Sequence, residues 1–437
     1  MKTYLLVLMI TALVLVPAAH AEHVITKGEL LTLERAIEIA LMKHPDILAA
    51  KGTVDVNLAK KGQAESGYYP QIDASAGYLR QQPSTISTGT TTVGIRRVQT
   101  SHSFEQYATS VSASQMLLDF GKTRTQVRVQ KNAVDASRSD LENAEEQVIF
   151  NVKQAYYDTL RAKRNRVVAE DTIRQFEQQL AQAKAFYEVG TRPKFDVTKA
   201  EVDLSTARLA LLRADNSVSI SLVNLNNAMG VPDAPDYLLE EHISLPKTMV
   251  SIEEAYNRAF ENRPSLKSLI SRKKAAEESV ALAQKGYFPF LTGNAGWTWA
   301  GEAGGFATGD GWNAGVTLSV PIFSGFLTKN QVAEARAALN VISANEEALK
   351  QNVILEVQQA YINIKEATER ITVATLTVQQ ATENVEIATG RYAAGVGNPI
   401  EVTDAEVALS RAKLSHNEAL YDYVIARASL EKAMGTR

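Results

Sequence analysis

The side chains able to do chemistry are few. The 437-residue chain has no cysteine, which removes disulfides, thiolate metal sites, thiol nucleophiles and lipid attachment together. Six histidines leave most metal and redox chemistry without its donors. No Ser/His/Asp, metal or paired-acid constellation supports an enzyme. His416 lies on a helical seam whose other copy has Leu211, so it reads as a packed histidine rather than a ligand. Gly301 to Gly311 lacks a following Lys-Ser/Thr helix and reads as a strand-connecting loop, not a phosphate cradle. The acids offer more. Glu401 and Asp404 follow a turn spanning Gly395 to Pro399, and Asp196 follows the matching turn from Gly190 to Pro193. Acids in a first helical turn favour the macrodipole on their own account. Repeated about a symmetry axis, Glu401 and Asp404 would instead form a carboxylate ring that selects cations.

What positions those acids must be exported. Lys2, an apolar run from Tyr4 to Ala19 and Ala19-His20-Ala21 read as a secretory signal, residues 1–21, cleaved after Ala21. No later stretch approaches the ~18 apolar residues of a spanning helix. The mature chain is therefore expected outside the cytoplasm, either soluble or entering a membrane as strands. With 46 basic and 49 acidic residues there is no electrostatic case for nucleic acid.

The chain is written twice. Residues 32–78 align with 251–297 at an offset of 219, pairing Pro45 with Pro264 and Gly67-Tyr68-Tyr69-Pro70 with Gly286-Tyr287-Phe288-Pro289. From about residue 111 the offset is 205, pairing Ala155-Tyr156 with Ala360-Tyr361 and Ala228-Met229-Gly230 with Ala433-Met434-Gly435. The first copy carries the longer loop, and its Ser/Thr-rich residues 83–103 read as exposed. The duplication fits a pseudo-twofold repeat: 22–230, a linker at 231–250 with three prolines, and 251–437.

In each copy the hydrophobic period changes from two to three and a half. Ile72, Ala74, Ala76 and Tyr78 alternate with polar and small residues; Leu291, Ala295, Trp297 and Trp299 do the same. These predict strands at about 71–82, 106–118, 290–300 and 311–323. Tyr78, Tyr107, Trp297, Trp299 and Trp312 suit an interfacial aromatic girdle, with ordinary strand packing the competing reading. Residues 124–187 and 329–392 hold no proline and one glycine, Gly390. Val353, Val357, Ala360, Ile364, Ala367, Ile371, Ala374 and onward to Tyr392 recur at alternating steps of four and three. Such a period predicts left-handed coiled-coil packing against shorter helices at 194–229 and 399–434. Four strands and two hairpins enclose nothing, so several identical chains must share one ring.

The sequence resembles the TolC-like outer membrane factor family over essentially the whole mature chain. The likeness rests on the duplication, the order helix, strand, strand, long helix, shorter helix in each half, the Gly-Tyr-Tyr-Pro and Gly-Tyr-Phe-Pro strand starts, and the turns Tyr187-Glu188-Val189-Gly190-Thr191-Arg192 and Tyr392-Ala393-Ala394-Gly395-Val396-Gly397. The resemblance implies an α+β outer-membrane protein without cofactor. Its long helices would form a periplasmic α-barrel, and its four strands a third of a 12-stranded transmembrane β-barrel in a homotrimer. It further implies docking to a periplasmic adaptor and an inner-membrane pump or ABC transporter, as the passive exit duct of efflux or type I secretion. The alternative is a soluble periplasmic coiled-coil adaptor. On this resemblance Glu401, Asp404 and Asp196 are expected at the periplasmic aperture, and Tyr392, Arg192 and Tyr187, together with Asp196, in the network that closes it. Gly190, Thr191, Gly395, Val396 and Gly397 are expected in the adaptor-docking turns. The family usually has an arginine where this chain has Gly397, so the closing network must differ here.

Overall fold

Proline breaks the helical segment ahead of each strand pair. The computed structural model describes residues 25–81, 85–91, 94–100, 104–241, 250–302 and 309–436; the expected signal at 1–21 lies outside them. β1 (Leu30–Leu31) leads to α1 (Leu33–Lys43), capped by the Thr32 hydroxyl. At His44 the backbone turns extended (ψ 128°), as a residue before proline must, and α2 (Pro45–Glu65) begins. Next come β2 (Gln71–Gln81), β3 (Thr85–Thr91), β4 (Gly94–Thr100), β5 (Phe104–Leu118), α3 (Lys122–Glu188), α4 (Lys194–Ala228) and β6 (Leu238–Leu239). The second copy runs α5 (Ile252–Asn262), α6 (Pro264–Gln284), β7 (Phe290–Glu302), β8 (Gly309–Ser319), α7 (Leu327–Ala393) and α8 (Pro399–Ala433). Where one leading helix was expected in each half, Pro45 and Pro264 make two.

Two further expectations change. Part of the 83–103 loop is a hairpin, with β3 and β4 paired from Thr85↔Thr100 to Thr91↔Gly94. Its threonines are β-branched and favour strand, a preference that a polar reading of the composition hides. The last strand ends at Ser319 rather than 323, because Pro321 cannot donate to a ladder and Ile322 stands 93% exposed beyond it.

The chain divides into two compact units: the described part of Met1–His44 with Asn151–Leu245 and Ala374–Tyr421, and Pro45–Phe150 with Pro246–Val373 and Asp422–Arg437. The second unit holds an antiparallel sheet in the order β2-β5-β7-β8, so among the described residues β2 and β8 are open edges. Directly opposed residues share a face. The pairs Tyr78↔Tyr107, Val111↔Trp297 and Trp297↔Trp312 therefore gather the five expected aromatics on one face. On the other, the Ser75 and Ser110 hydroxyls are 2.8 Å apart. Helix α6 is tied to its neighbours by Ser268 and Arg272 on Asp140, and by Lys273 on Glu346 at 2.7 Å. Lys273 and Lys350 together hold the Glu346 carboxyl down to about 2.

In the first unit the two hairpins zip along their small-residue seams. Phe176 packs with Leu204 and Ala207, while Ala388 and Tyr392 pack with Val402 and Ala405. Burial on α7 follows one heptad stripe, through Ala374, Ala388 and Tyr392 in this unit, and residues off that stripe are largely exposed. The start of the 231–250 linker is pinned: β6 pairs in parallel with β1. The buried Tyr156 hydroxyl donates to the Leu31 and Glu240 carbonyls at 3.0 and 2.9 Å.

Candidate functional site

Both helix turns of the first unit are built alike. Gly190 (φ +73°) and Gly395 (φ +80°) take the left-handed conformation that ends a helix. Behind them Thr191 N–H reaches the Phe186 carbonyl and Val396 N–H the Arg391 carbonyl, at 3.0 and 3.1 Å. Pro193 and Pro399 then start the return helices. The tips are apolar and open to solvent: Val189 is 71% exposed and Val396 73%, with Phe195 and Ile400 beside them.

Gly397 answers to a different demand. A Cβ there would lie 2.7 Å from the Tyr392 nitrogen and 2.9 Å from the Arg391 carbonyl carbon, so no side chain fits without moving the turn. The guanidinium comes from the other hairpin. Arg192 donates to the Gly397 carbonyl at 3.2 Å and lies over the Tyr392 ring, 5.2 Å from its centroid.

Tyr392 is the centre of this cluster. It is 1% exposed, and Phe186 meets its ring edge-on at 5.8 Å. Burial pushes its hydroxyl pKa up, the Asp196 charge adds to this, and Arg192 opposes it. Among the described residues the hydroxyl has no hydrogen-bond partner, and neither has Asp196 Oδ2. Asp196 is 5% exposed, which separates it from the acids with which it was grouped for the aperture. Glu401 and Asp404 are exposed, and Glu401 lies 3.6 Å from Arg391 Nε. Tyr187 does not join the cluster but points outward, 47% exposed. Its neighbour Phe186 occupies the inward position instead. Steps of three or four from Ala183 reach either residue, which is why the heptad alone did not separate them.

Above the turns, α3 and α8 meet along a polar seam. Gln179 Nε2 donates to Thr403 Oγ1 at 3.1 Å, and Thr403 to Asp203 at 3.0 Å, where Lys199 also binds. Thr172 and Ser410 pair at 3.2 Å, and Asn417 with Asn165 at 3.0 Å. Glu406 stands in the same seam, 8% exposed, with Oε2 unpartnered. Burial raises its pKa against the pull of Lys413.

In the second unit a further set of aromatics, not found from periodicity, marks the other ends of the strands. Phe120 stacks on Phe288 at 5.9 Å, and Phe323 meets Phe326 edge-on at 5.5 Å. Lys285 and Lys329 lie over Phe288 and Phe326. The signal available was an aromatic next to a strand-starting proline, as in Phe288-Pro289.

The family model described as outer membrane efflux protein matches residues 36–231 and 255–436. The chain is 24% identical over 409 residues to outer membrane efflux protein BepC of Brucella suis biovar 1, covering 92% of this chain and 85% of that protein. It is 24% identical to outer membrane protein TolC of Vibrio cholerae over 399 residues, 90% of this chain and 88% of that one. The crystal structure of the outer membrane protein VceC from Vibrio cholerae superposes with a TM-score of 0.78 at 19% identity, over 92% of this chain and 96% of that one. These matches leave no place for the soluble adaptor alternative. The match to both repeats, a sheet with an aromatic face and long heptad-packed helices agree: the chain belongs to the outer membrane efflux protein family, channels of the outer membrane whose helices extend into the periplasm.

Proposed function

We propose that three copies of this chain form the passive exit duct of a tripartite assembly, with a periplasmic adaptor and an inner-membrane pump or ABC transporter supplying drive and specificity. The observation that carries this reading is the sheet with two open edges, β2 and β8. An exposed edge is an unsatisfied row of donors and acceptors, and in lipid it must close on another strand. Three sets of four strands give a 12-stranded barrel, wide enough for an open lumen where eight strands would fill themselves. Tyr78, Tyr107, Trp297, Trp299 and Trp312 would sit in one aromatic girdle. Phe120, Phe288, Phe323 and Phe326, with their overlying lysines, would sit in the other.

The helix turns form the periplasmic end in this reading. Exposed Val189, Phe195, Val396 and Ile400 give the adaptor an apolar patch to cover. Glu401 and Asp404 ring the aperture. Arg192, Tyr392 and Asp196 latch the two hairpins, with Arg192 supplying the cation that Gly397 cannot. Detergent-extracted protein is expected to be trimeric by light scattering and to conduct ions in planar bilayers. A monomeric, non-conducting sample would sink the proposal.

A further inference from the structure

The two halves obey their offsets in contacts as well as in sequence. Moving the β2–β5 pairs Gln71↔Ser114 and Ser75↔Ser110 by 219 and 205 gives Phe290↔Ser319 and Asn294↔Gly315, which is the register of β7 and β8. The helices obey the same rule. A Cβ on Gly230 would strike His44 Cα at 2.8 Å, and one on Gly435, 205 later, would strike Arg263 Cα, 219 later, at 2.8 Å. In these strand and helix-end contacts the first half therefore predicts the second, residue for residue.

The same correspondence carries the contact between the halves outward. Inside the chain, α3 of the first half meets α8 of the second through Thr172–Ser410 and Gln179–Thr403. Their repeat mates are Thr377 and Ser205, and Asn384 and Thr198. All four are exposed on α7 and α4. The stripe on α4 also repeats the seam chemistry in order: Thr198, Glu201, Ser205 and Arg208 stand for Thr403, Glu406, Ser410 and Lys413. In the sheet, the interhalf pairs Val111↔Trp297 and Ala113↔Ala295 become Val316↔Tyr78 and Leu318↔Ala76, which lie on the two edge strands.

We infer that a second copy of this chain docks on α4 in the register of the internal α3–α8 seam, placing its Thr377 against Ser205 and its Asn384 against Thr198. In the sheet the same repeat correspondence sets Val316 of β8 opposite Tyr78 of β2 in a neighbouring copy. The subunit seam is then polar like the internal one, fixed by hydrogen-bonding pairs spaced seven residues apart rather than by large apolar knobs. Polar residues at such positions specify register at some expense in stability. The inference rests on the ring of identical subunits proposed above and adds which residues meet.

Disulfide trapping tests it cleanly, because the full chain has no cysteine of its own. The variant Ser205→Cys with Thr377→Cys, oxidised as the purified detergent oligomer, is expected to give covalent dimers and trimers on non-reducing gels. Thr198→Cys with Asn384→Cys should do the same. Thr172→Cys with Ser410→Cys should lose its thiols yet run as a single chain, since that pair is internal. Ser205→Cys with Asn384→Cys, one heptad out of register, should stay uncrosslinked. Should the oligomer be intact and the internal pair close while neither intersubunit pair does, the register is overturned and the duct reading survives. Crosslinking of the out-of-register pair instead would also overturn it. A monomer by light scattering would overturn both.

Discussion

Gly397 and Glu406 show how one residue's fate depends on what faces it. At Gly397 the obstacle is backbone, 2.7 Å from where a Cβ would stand, and backbone cannot rotate aside. Gly397→Ala is therefore expected to shift the turn, weaken the Arg192–Tyr392 contact and cost about 1–3 kcal/mol, read as a lower thermal midpoint. An unchanged midpoint would mean the turn tolerates a side chain. Glu406 has a repeat mate, Glu201, that is exposed and reaches Lys184 at 3.8 Å. Nothing in the two local sequences announces the difference; it arises because α3 covers that face of α8, while the equivalent face of α4 is open within the chain. Burial raises the Glu406 pKa above its ordinary 4.5. Such a carboxyl takes up a proton on folding, so it adds stability as pH falls from above the raised pKa toward 4.5 and is a liability at higher pH. Lys413 opposes this, and Gln179 and Thr172 on α3 offer no charge. Glu406→Gln should raise the midpoint at pH 8 by a margin that shrinks steadily as pH is lowered. A variant less stable than the parent at pH 8 would contradict the assignment.

At the scale of elements, periodicity carried most of the fold. The heptad rows located α3, α4, α7 and α8 because each seam must bury one stripe, and the alternation located the four sheet strands because each face meets a different medium. What failed was composition used in place of period. Threonine-rich 83–103 read as loop because Ser and Thr are polar, though β-branching stiffens threonine into strands, and a β3–β4 hairpin is found there. Asp196 reads both as an aperture acid and as a member of the closing network, because first-turn placement says nothing about which side of the helix is covered. The linker after α4 also hid its anchor. Tyr156 lies within the heptad run, yet its hydroxyl holds the β1–β6 pair through two carbonyls, and burial pushes its pKa further up. Tyr156→Phe keeps the ring packing and removes only that tether. It should cost about 1–2 kcal/mol and speed proteolysis near Leu238–Leu239. If cleavage there is no faster, the pair is held by other contacts.

For the whole molecule, the two acids proposed for the aperture differ in what lies beside them. Three copies would present three Glu401 and three Asp404 carboxylates at one end of the duct, but the two rings are not equivalent. Arg391 lies 3.6 Å from Glu401, both about half exposed, so each Glu401 brings a compensating cation with it. Asp404, one helical turn further along α8, makes no ion pair among the described residues. In the proposed duct the net field at the constriction would therefore come chiefly from Asp404, and an ion passing there would be selected by that uncompensated charge. Asp404→Ala should lower the cation-over-anion permeability ratio more than Glu401→Ala, measured as reversal potential across a salt gradient in planar bilayers. Arg391→Ala should move the ratio the other way, by releasing Glu401. High salt should compress all three differences, because the Debye length falls to about 3 Å at 1 M. A double Glu401→Ala, Asp404→Ala duct with the parent's reversal potential would remove the ring from the account of selectivity and leave those acids as helix-capping charges alone.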